Sequence, residues 1–393
     1  MSHFCHRCLY KSEHPFGLTF DEHICLGCIT HEEKVNLDWD NRKSKLIELS
    51  DKLRKRKSRS GYSCVIPVTG VAEDYFTVTK VLELGLNPLI VAVNNFFYND
   101  IGWHNLHQLI TYFDLDSLVF NPELSKYKEL IRVSLRKYNH IYWPYLALAT
   151  SFPVHIAKQR KIPLIVWGQN QAIEQVGKFS HVDEVEMSEW SRQEHDLAGI
   201  SLDSLLGNGA QVNTSKLGYY HYPDISALSK SGIKGIYLSN YLPWDPLFQN
   251  SQAVAQGFKA EKNNYSFDTY ERAGSSVYYK LHDLLKFKRI GYRKITDHLS
   301  REIRHGRASR EQAREIEKRY SENPVDIKPF FDWLGVTNSG FKWFVEHKLS
   351  DIKHLIGEEE VVDIRLPNEL SSLIERGSSP NEEFMLFGKG ISI

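Results

Sequence analysis

Four cysteines near the N-terminus, Cys5, Cys8, Cys25 and Cys28, spell C-x2-C-x16-C-x2-C. Two C-x-x-C pairs at this separation fit a four-thiolate zinc site of the ribbon type, each pair forming a knuckle whose sulfurs can face one metal. A closed shell of four thiolates leaves no position for water, so the role it implies is structural. His3, His6, His14 and His23 lie nearby, but four cysteines suffice as ligands. Disulfides are the competing use, and they are rare in a reducing compartment. The fifth cysteine, Cys64, opens an apolar run and reads as a small core thiol.

A second group of chemistry-bearing residues is the turn Thr69–Asp74, which reads Thr69, Gly70, Val71, Ala72, Glu73, Asp74. It follows an apolar run, Cys64–Val68, and precedes Val78, Val81 and Leu82 at helical spacing, with Gly85 as a stop. A second apolar run, Leu89–Val93, comes next. Strand, turn, helix and strand of these lengths make a βαβ unit with parallel strands. Such units take ligands at the carboxyl ends of their strands, and free N–H groups at the helix start favour an anion. Asp74 gives the turn another use, because an Asp there can cap the helix and satisfy the same N–H groups itself. Both readings are open from the sequence.

Further candidates follow other strand ends. Asn94 leaves Leu89–Val93, and Gly168, Gln169 and Asn170 leave a strand expected over Ile162–Trp167. Asp245 follows a strand expected over Gly235–Leu242, as helix cap or as ligand. Ser117–Phe120 is a further short strand. Tyr142–Lys158 is rich in apolar residues and carries Pro153, which favours a cavity lining over one clean helix. Arg301, Arg304, Arg307 and Arg310 recur every three residues, either as a solvated helix face or as a diphosphate grip. Ser309 and Gln312 form a capping-box pattern that starts a helix.

These elements fit into 393 residues with 49 basic and 49 acidic side chains. That balance gives no general argument for nucleic acid or membrane. No run of about 18 apolar residues exists, so no transmembrane helix is expected, and the start MSHFCHRCLY lacks an apolar signal core. A cytoplasmic protein is the expectation. The organisation read from the chain is a zinc ribbon over 1–35, a basic linker helix over 36–60, an α/β domain with a doubly wound, mostly parallel sheet over 61–250, and a mainly helical region over 251–393. Leu46, Leu49 and Leu53 give the linker helix its apolar face, and Lys52, Arg54, Lys55, Arg56, Lys57 and Arg59 crowd its end.

Over nearly its full length the chain resembles the N-acetyl sugar amidotransferases of bacterial surface-glycan (LPS O-antigen) and nonulosonate biosynthesis, members of the PP-loop ATP pyrophosphatase superfamily. The resemblance is carried by the cysteine pairs, VIPVTG, VNNFFYNDIGWHNL (Val93–Leu106) and IPLIVWGQN (Ile162–Asn170). Beyond these it rests on GIYLSNYLPWD (Gly235–Asp245) and on the charged stretch His282–Ala313. It implies a PP-loop, adenine-nucleotide-hydrolase-like sheet and an ATP-dependent conversion of an acetamido group to an acetamidino group on a nucleotide-linked sugar. Ammonia would come from a separate glutaminase resembling the imidazole glycerol phosphate synthase pair. Thr69, Gly70, Val71, Ala72, Asn94, Gly168, Gln169 and Asn170 fall at its nucleotide positions, and Glu73 and Asp74 at its catalytic ones. Asp245, Arg301, Arg304 and Arg307 would bind substrate, and Mg²⁺ would bridge the phosphates.

The turn departs from the family's Ser-Gly-Gly-x-Asp-Ser. Thr69 and Gly70 stand for the first two residues, Val71 replaces the second Gly, Glu73 the Asp and Asp74 the last Ser. Gln169 stands where the family has Glu, and Tyr145 and Leu146 where members tend to carry Cys. A carboxylate where pyrophosphate docks predicts weak ATP binding. Two alternatives to the active enzyme therefore stand beside it. One is a relative that has become a sugar-nucleotide-binding or scaffold subunit. The other is a tRNA-modifying PP-loop enzyme gripping RNA with the ribbon and Lys52–Arg59; it fits less well, since only Cys64 remains for thiolation chemistry.

Overall fold

The computed structural model describes residues 3–12, 17–55, 60–207 and 217–377. His14, Arg56, Lys57, Arg59 and the end of the expected C-terminal region, 378–393, lie outside the described residues.

The N-terminal module is a short antiparallel hairpin, β1 (Phe20–Asp21) and β2 (Ile24–Cys25), running directly into helix α1 (Leu26–Glu33). The second cysteine knuckle therefore lies across a strand–helix junction. Helix α2 (Trp39–Lys55) is the expected linker helix; it buries Leu46 and half-buries Leu49 and Leu53 against the main body. Among the cations at its end, Lys52 and Arg54 are ion-paired within the helix to Glu48 and Asp51.

The central sheet has five parallel strands: β3 (Cys64–Val68), β4 (Pro88–Val93), β5 (Ser117–Phe120), β6 (Leu164–Trp167) and β7 (Lys234–Tyr237). Their order is β5-β4-β3-β6-β7. The inner strands read as unbroken apolar runs because both faces are covered. Alternate residues serve opposite layers: Val65, Leu89, Val91 and Ile165 face one, and Ile66, Ile90, Ala92 and Val166 the other. Helices α3 (Ala72–Glu83) and α4 (Asp100–Phe113) cover the second layer, and α5 (Leu124–Tyr138) and α6 (Trp143–Arg160) the first. The chain order reverses between β3 and β6, so the loops leaving these two strands diverge and open a crevice, as in other doubly wound sheets.

Two expectations about elements change. Trp143–Arg160 is one continuous helix that carries Pro153 inside it. Residues all around it are buried in the core, including Trp143, Tyr145, Leu148, Phe152 and Ile156, and this packing outweighs the single backbone bond that Pro removes. The expected strand Gly235–Leu242 ends at Tyr237, and Leu238–Asn240 turns tightly. That turn lets the Ser239 hydroxyl accept the Asn170 amide at 2.9 Å, tying the β6 and β7 exits together.

The C-terminal region is helical, with Tyr279–Ile290, Lys294–Arg304, Arg310–Ser321, Lys328–Leu334, Asn338–Lys348 and Asn368–Arg376 as its longer segments. Ser309 and Gln312 cap Arg310–Ser321 reciprocally, as their spacing predicts. Ile295, Leu299 and Ala313 pack in the same layer as Val78 and Ile66, so the apolar core runs across residue 250 without a break.

Candidate functional site

The sulfurs of Cys5, Cys8, Cys25 and Cys28 all lie within 4.8 Å of one another and are buried. Cys8 Sγ stands 3.6 Å from Cys25 Sγ, and Cys5 Sγ 4.0 Å from Cys28 Sγ. These separations are far beyond a disulfide's roughly 2.05 Å. They match the edges of a tetrahedron with Zn–S bonds of about 2.3 Å. Knuckle amides support the sulfurs: Arg7 N–H and Cys8 N–H donate to Cys5 Sγ at 3.4 and 3.5 Å, and Tyr10 N–H to Cys8 Sγ at 3.5 Å. The donor set fits zinc, and the four cysteines would hold it.

The turn after β3 has a closed geometry. One carboxylate oxygen of Asp74, Oδ2, accepts the backbone N–H groups of Thr69 at 2.7 Å, Gly70 at 2.8 Å and Val71 at 3.1 Å. Gly70 adopts φ +83°, and a Cβ there would meet the Leu106 backbone at 2.7 Å, so the turn is pressed against α4. The three N–H groups form the kind of concave nest that binds anions, and the chain's own carboxylate fills it. Burial pushes the Asp74 carboxyl up to about 6 against the opposing pull of those amides. Thr69 is fixed further: its hydroxyl pairs with the Tyr145 hydroxyl at 2.7 Å, and its carbonyl accepts from Tyr98 Oη at 2.8 Å.

Glu73 bridges the crevice between the two central strands. Its Oε1 accepts the Gln169 N–H at 2.8 Å, joining the β3 and β6 exits. Burial pushes its carboxyl up to about 7, against the pull of the Gln169 amide. Around this bridge opens a cleft of about 330 Å³. Thr69, Val71, Glu73, Asp74, Gly168, Gln169 and Asn170, all expected ligand-side residues, lie on its wall. The C-terminal region adds Glu271, Arg272, Ser275 and Arg301 to the lining.

Other expected site residues are engaged elsewhere. Asn94 donates to Asn121 Oδ1 at 2.8 Å and accepts the Phe96 amide at 2.8 Å, which is turn chemistry. Ala72 is buried in the core. Asp245 caps Pro246–Ser251 through the Phe248 amide at 3.3 Å and receives both terminal nitrogens of Arg307, at 2.6 and 3.1 Å. Arg304 donates to the carbonyls of Glu174 and Gln175 at 3.2 and 2.9 Å and to Cys25 Sγ at 3.6 Å. Arg304 and Arg307 thus hold the fold together instead of lining the cleft. Arg301 does reach the wall, but it is paired with Asp268 at 2.8 Å and Glu302 at 2.6 Å. Asp268, Glu271 and His298 cluster within 4.8 Å, where Arg301 and Lys294 neutralise the two carboxylates. Glu271, Arg272 and Ser275 have no spacing signal in the sequence, because a loop delivers them across the molecule.

Residues 262–356 match the model of a family described as "LPS biosynthesis protein WbpG-like, C-terminal domain". This stretch carries Glu271, Arg272, Ser275 and Arg301, one side of the cleft. No curated protein matches the chain. Among solved structures, the NMN synthetase from Francisella tularensis is similar at 12% identity, with a TM-score of 0.28, covering 58% of this chain and 100% of that one. Among the described residues, no helix is long and apolar enough to cross a membrane.

Proposed function

We propose that the chain is an N-acetyl sugar amidotransferase-like protein of surface-glycan biosynthesis, whose ligand is a nucleotide-linked N-acetyl sugar and whose target is the acetamido group. The observation that carries this reading is the composite cleft. The WbpG-like stretch supplies Glu271, Arg272 and Arg301, and the parallel-sheet loops face them with Thr69, Glu73 and Gln169. Clefts at the carboxyl edge of such sheets are ligand sites by topology. The zinc, held by the four cysteines, is structural in this reading, and a glutaminase partner would supply the ammonia.

The ATP of the family's reaction does not fit the turn as it stands. A pyrophosphate needs the Thr69, Gly70 and Val71 amides, and Asp74 already occupies all three. The Val71 side chain and the Asp74 charge both oppose a phosphate there. No ATP step is therefore assigned. This occupancy favours a second reading, a relative that binds the nucleotide sugar and acts as a binding or scaffold subunit. Nothing comparable favours the RNA-modifying reading, and Cys64 is sealed in the sheet.

Calorimetric titration with UDP-N-acetylglucosamine and with ATP, each with Mg²⁺, tests both. Binding of the nucleotide sugar with weak or absent ATP binding is expected. Failure of a panel of nucleotide-linked N-acetyl sugars to bind overturns the proposal. Tight ATP binding undiminished in Glu73→Ala overturns the loop argument and restores an active enzyme with another phosphate grip. Amidine formation on co-expression with a glutaminase decides between enzyme and subunit.

A further inference from the structure

Arginines of the C-terminal region around the cleft are almost all engaged within the protein. Arg293 is paired with Asp283, Arg301 with Asp268 and Glu302, and Arg307 with Asp245 and Glu302. Arg272 differs. Its guanidinium lies over the ring of Tyr279 at 4.4 Å and near that of Tyr142 at 5.9 Å. Its Nε stands 3.3 Å from Glu271 Oε1 without forming a hydrogen bond, and among the described residues neither η nitrogen has a hydrogen-bond partner. The Ser275 hydroxyl, three residues on, lines the same cleft at 1% exposure and also lacks a partner.

The loop bearing both residues is held rigidly in an unusual conformation. Arg272 has φ +63°, a left-handed conformation that costs a non-glycine residue on the order of 1 kcal/mol and occurs mostly where the surroundings impose it. The surroundings here are explicit. Gly274 C=O accepts the Asn99 amide at 2.8 Å, Gly274 N–H donates to Glu261 at 2.6 Å, and Ser275 C=O accepts from Asn95 at 2.8 Å. A Cβ on Gly102 would lie 2.1 Å from the Gly274 oxygen, so the two backbones meet with no room for a side chain. The exit of β4 thus clamps the loop and aims Arg272 into the cleft.

We propose that Arg272 is the anion anchor of the cleft, its two η nitrogens taking oxygens of a phosphate or diphosphate group while the Ser275 hydroxyl donates beside them. A guanidinium with its edge free and its face stacked on tyrosine is preorganised for bidentate binding. Asp74 and Glu271 bring negative charge to the cleft, and the η nitrogens of Arg272 are donors on its lining left open to a phosphate. The inference deepens the proposed function: the diphosphate of the nucleotide-linked sugar is the occupant, and Arg272, not the arginines of Lys294–Arg304, is its ligand.

Titrations of the full chain with inorganic pyrophosphate and with UDP-N-acetylglucosamine test this, using Arg272→Ala, Arg272→Lys and Ser275→Ala. Arg272→Ala should weaken both ligands at least about tenfold, as expected for losing a bidentate charged contact. Arg272→Lys should recover part of the affinity, and it serves as the folded control if the Ala variant does not fold. Ser275→Ala should weaken binding a few-fold. Pyrophosphate binding that depends on Arg272 without any nucleotide-sugar binding supports the anchor and removes the proposed ligand. Nucleotide-sugar binding that is equal in the parent and both Arg272 variants overturns the anchor and leaves the proposed function standing. Absence of binding by either ligand to the parent overturns both.

Discussion

The Arg304 guanidinium donates to Cys25 Sγ at 3.6 Å while also holding the carbonyls of Glu174 and Gln175. Glu174 and Gln175 end the helical turn Gln171–Glu174 that follows Gly168–Asn170, so one side chain joins the cysteine cluster to the segment leaving β6. A cation beside a thiolate stabilises the charged sulfur that binds metal.

The expected metal content is one zinc per chain. Arg304→Ala should make that zinc easier to remove, by about 10–100-fold in affinity, as for other supporting partners of metal ligands. Competition with a chromogenic chelator reads this directly. Cys25→Ser should open the module to limited proteolysis, because small metal sites fold with their metal. Protein purified without chelator and free of zinc would refute the assignment.

Arg307 should behave as a structural residue. It is buried and contacts Asp245 and Glu302, and Glu302 is also fully buried. Arg307→Ala leaves two carboxylates short of a cation, at a cost of about 3 kcal/mol. A clear fall in Tm with unchanged nucleotide-sugar affinity in the folded fraction is expected. A stable variant with lost affinity would return Arg307 to the ligand site.

Reopening the turn is the direct test of its occupancy. Val71→Gly with Glu73→Asp and Asp74→Ser should raise pyrophosphate and ATP affinity about tenfold or more, since the charge opposing the phosphate is gone. Asp74→Ala alone leaves three amides without a partner and should lose about 1–3 kcal/mol of stability. Added pyrophosphate should restore part of that loss through binding to the native state. Thermal melts with and without pyrophosphate measure both effects. No rise in affinity in the triple variant would show that the nest is closed by more than Asp74.

The same carboxyls give a pH dependence. Burial lifts Glu73 from 4.5 to about 7 and Asp74 from 3.8 to about 6. Between these values the unfolded chain gives up the proton while the folded chain keeps it, so stability from these groups falls as pH rises through the window. Urea unfolding at about pH 5 and about pH 8 should show Glu73→Gln gaining on the parent at the higher pH. A parallel shift of parent and variant would rule out Glu73 as a source. Pyrophosphate binding at the turn should rise as pH drops below about 6, where Asp74 protonates and loosens its hold on the amides.

The sheet was readable because its strands are apolar on both faces. Cys64–Val68 and Ser117–Phe120 keep their expected bounds, and Gly85, at φ +67°, follows the end of α3. The cysteine cluster was readable because the spacing of its ligands is local. Both uses of Asp74 were visible, but only distances could show that one oxygen reaches three amides. Pro153 misled, since its effect on a helix depends on the packing around it. Arg301, Arg304, Arg307 and Arg310 looked alike at spacing three, yet each meets different partners, and Arg310 goes to the Cys5 and Cys8 carbonyls. Arg272 gives no signal because its loop is held through Gly274 and Ser275 by Asn99 and Asn95, both distant in the chain.

A carboxylate covalently attached to the pocket it fills acts as a tethered competitive inhibitor. Its local concentration is set by the short segment Thr69–Asp74 and lies at millimolar or above even for flexible tethers. Dilution never removes it, so a phosphate that is to use the Thr69, Gly70 and Val71 amides must displace it at every encounter. Protonation of Asp74, or a cation that draws it away, would free the three amides without altering any contact made by an incoming phosphate.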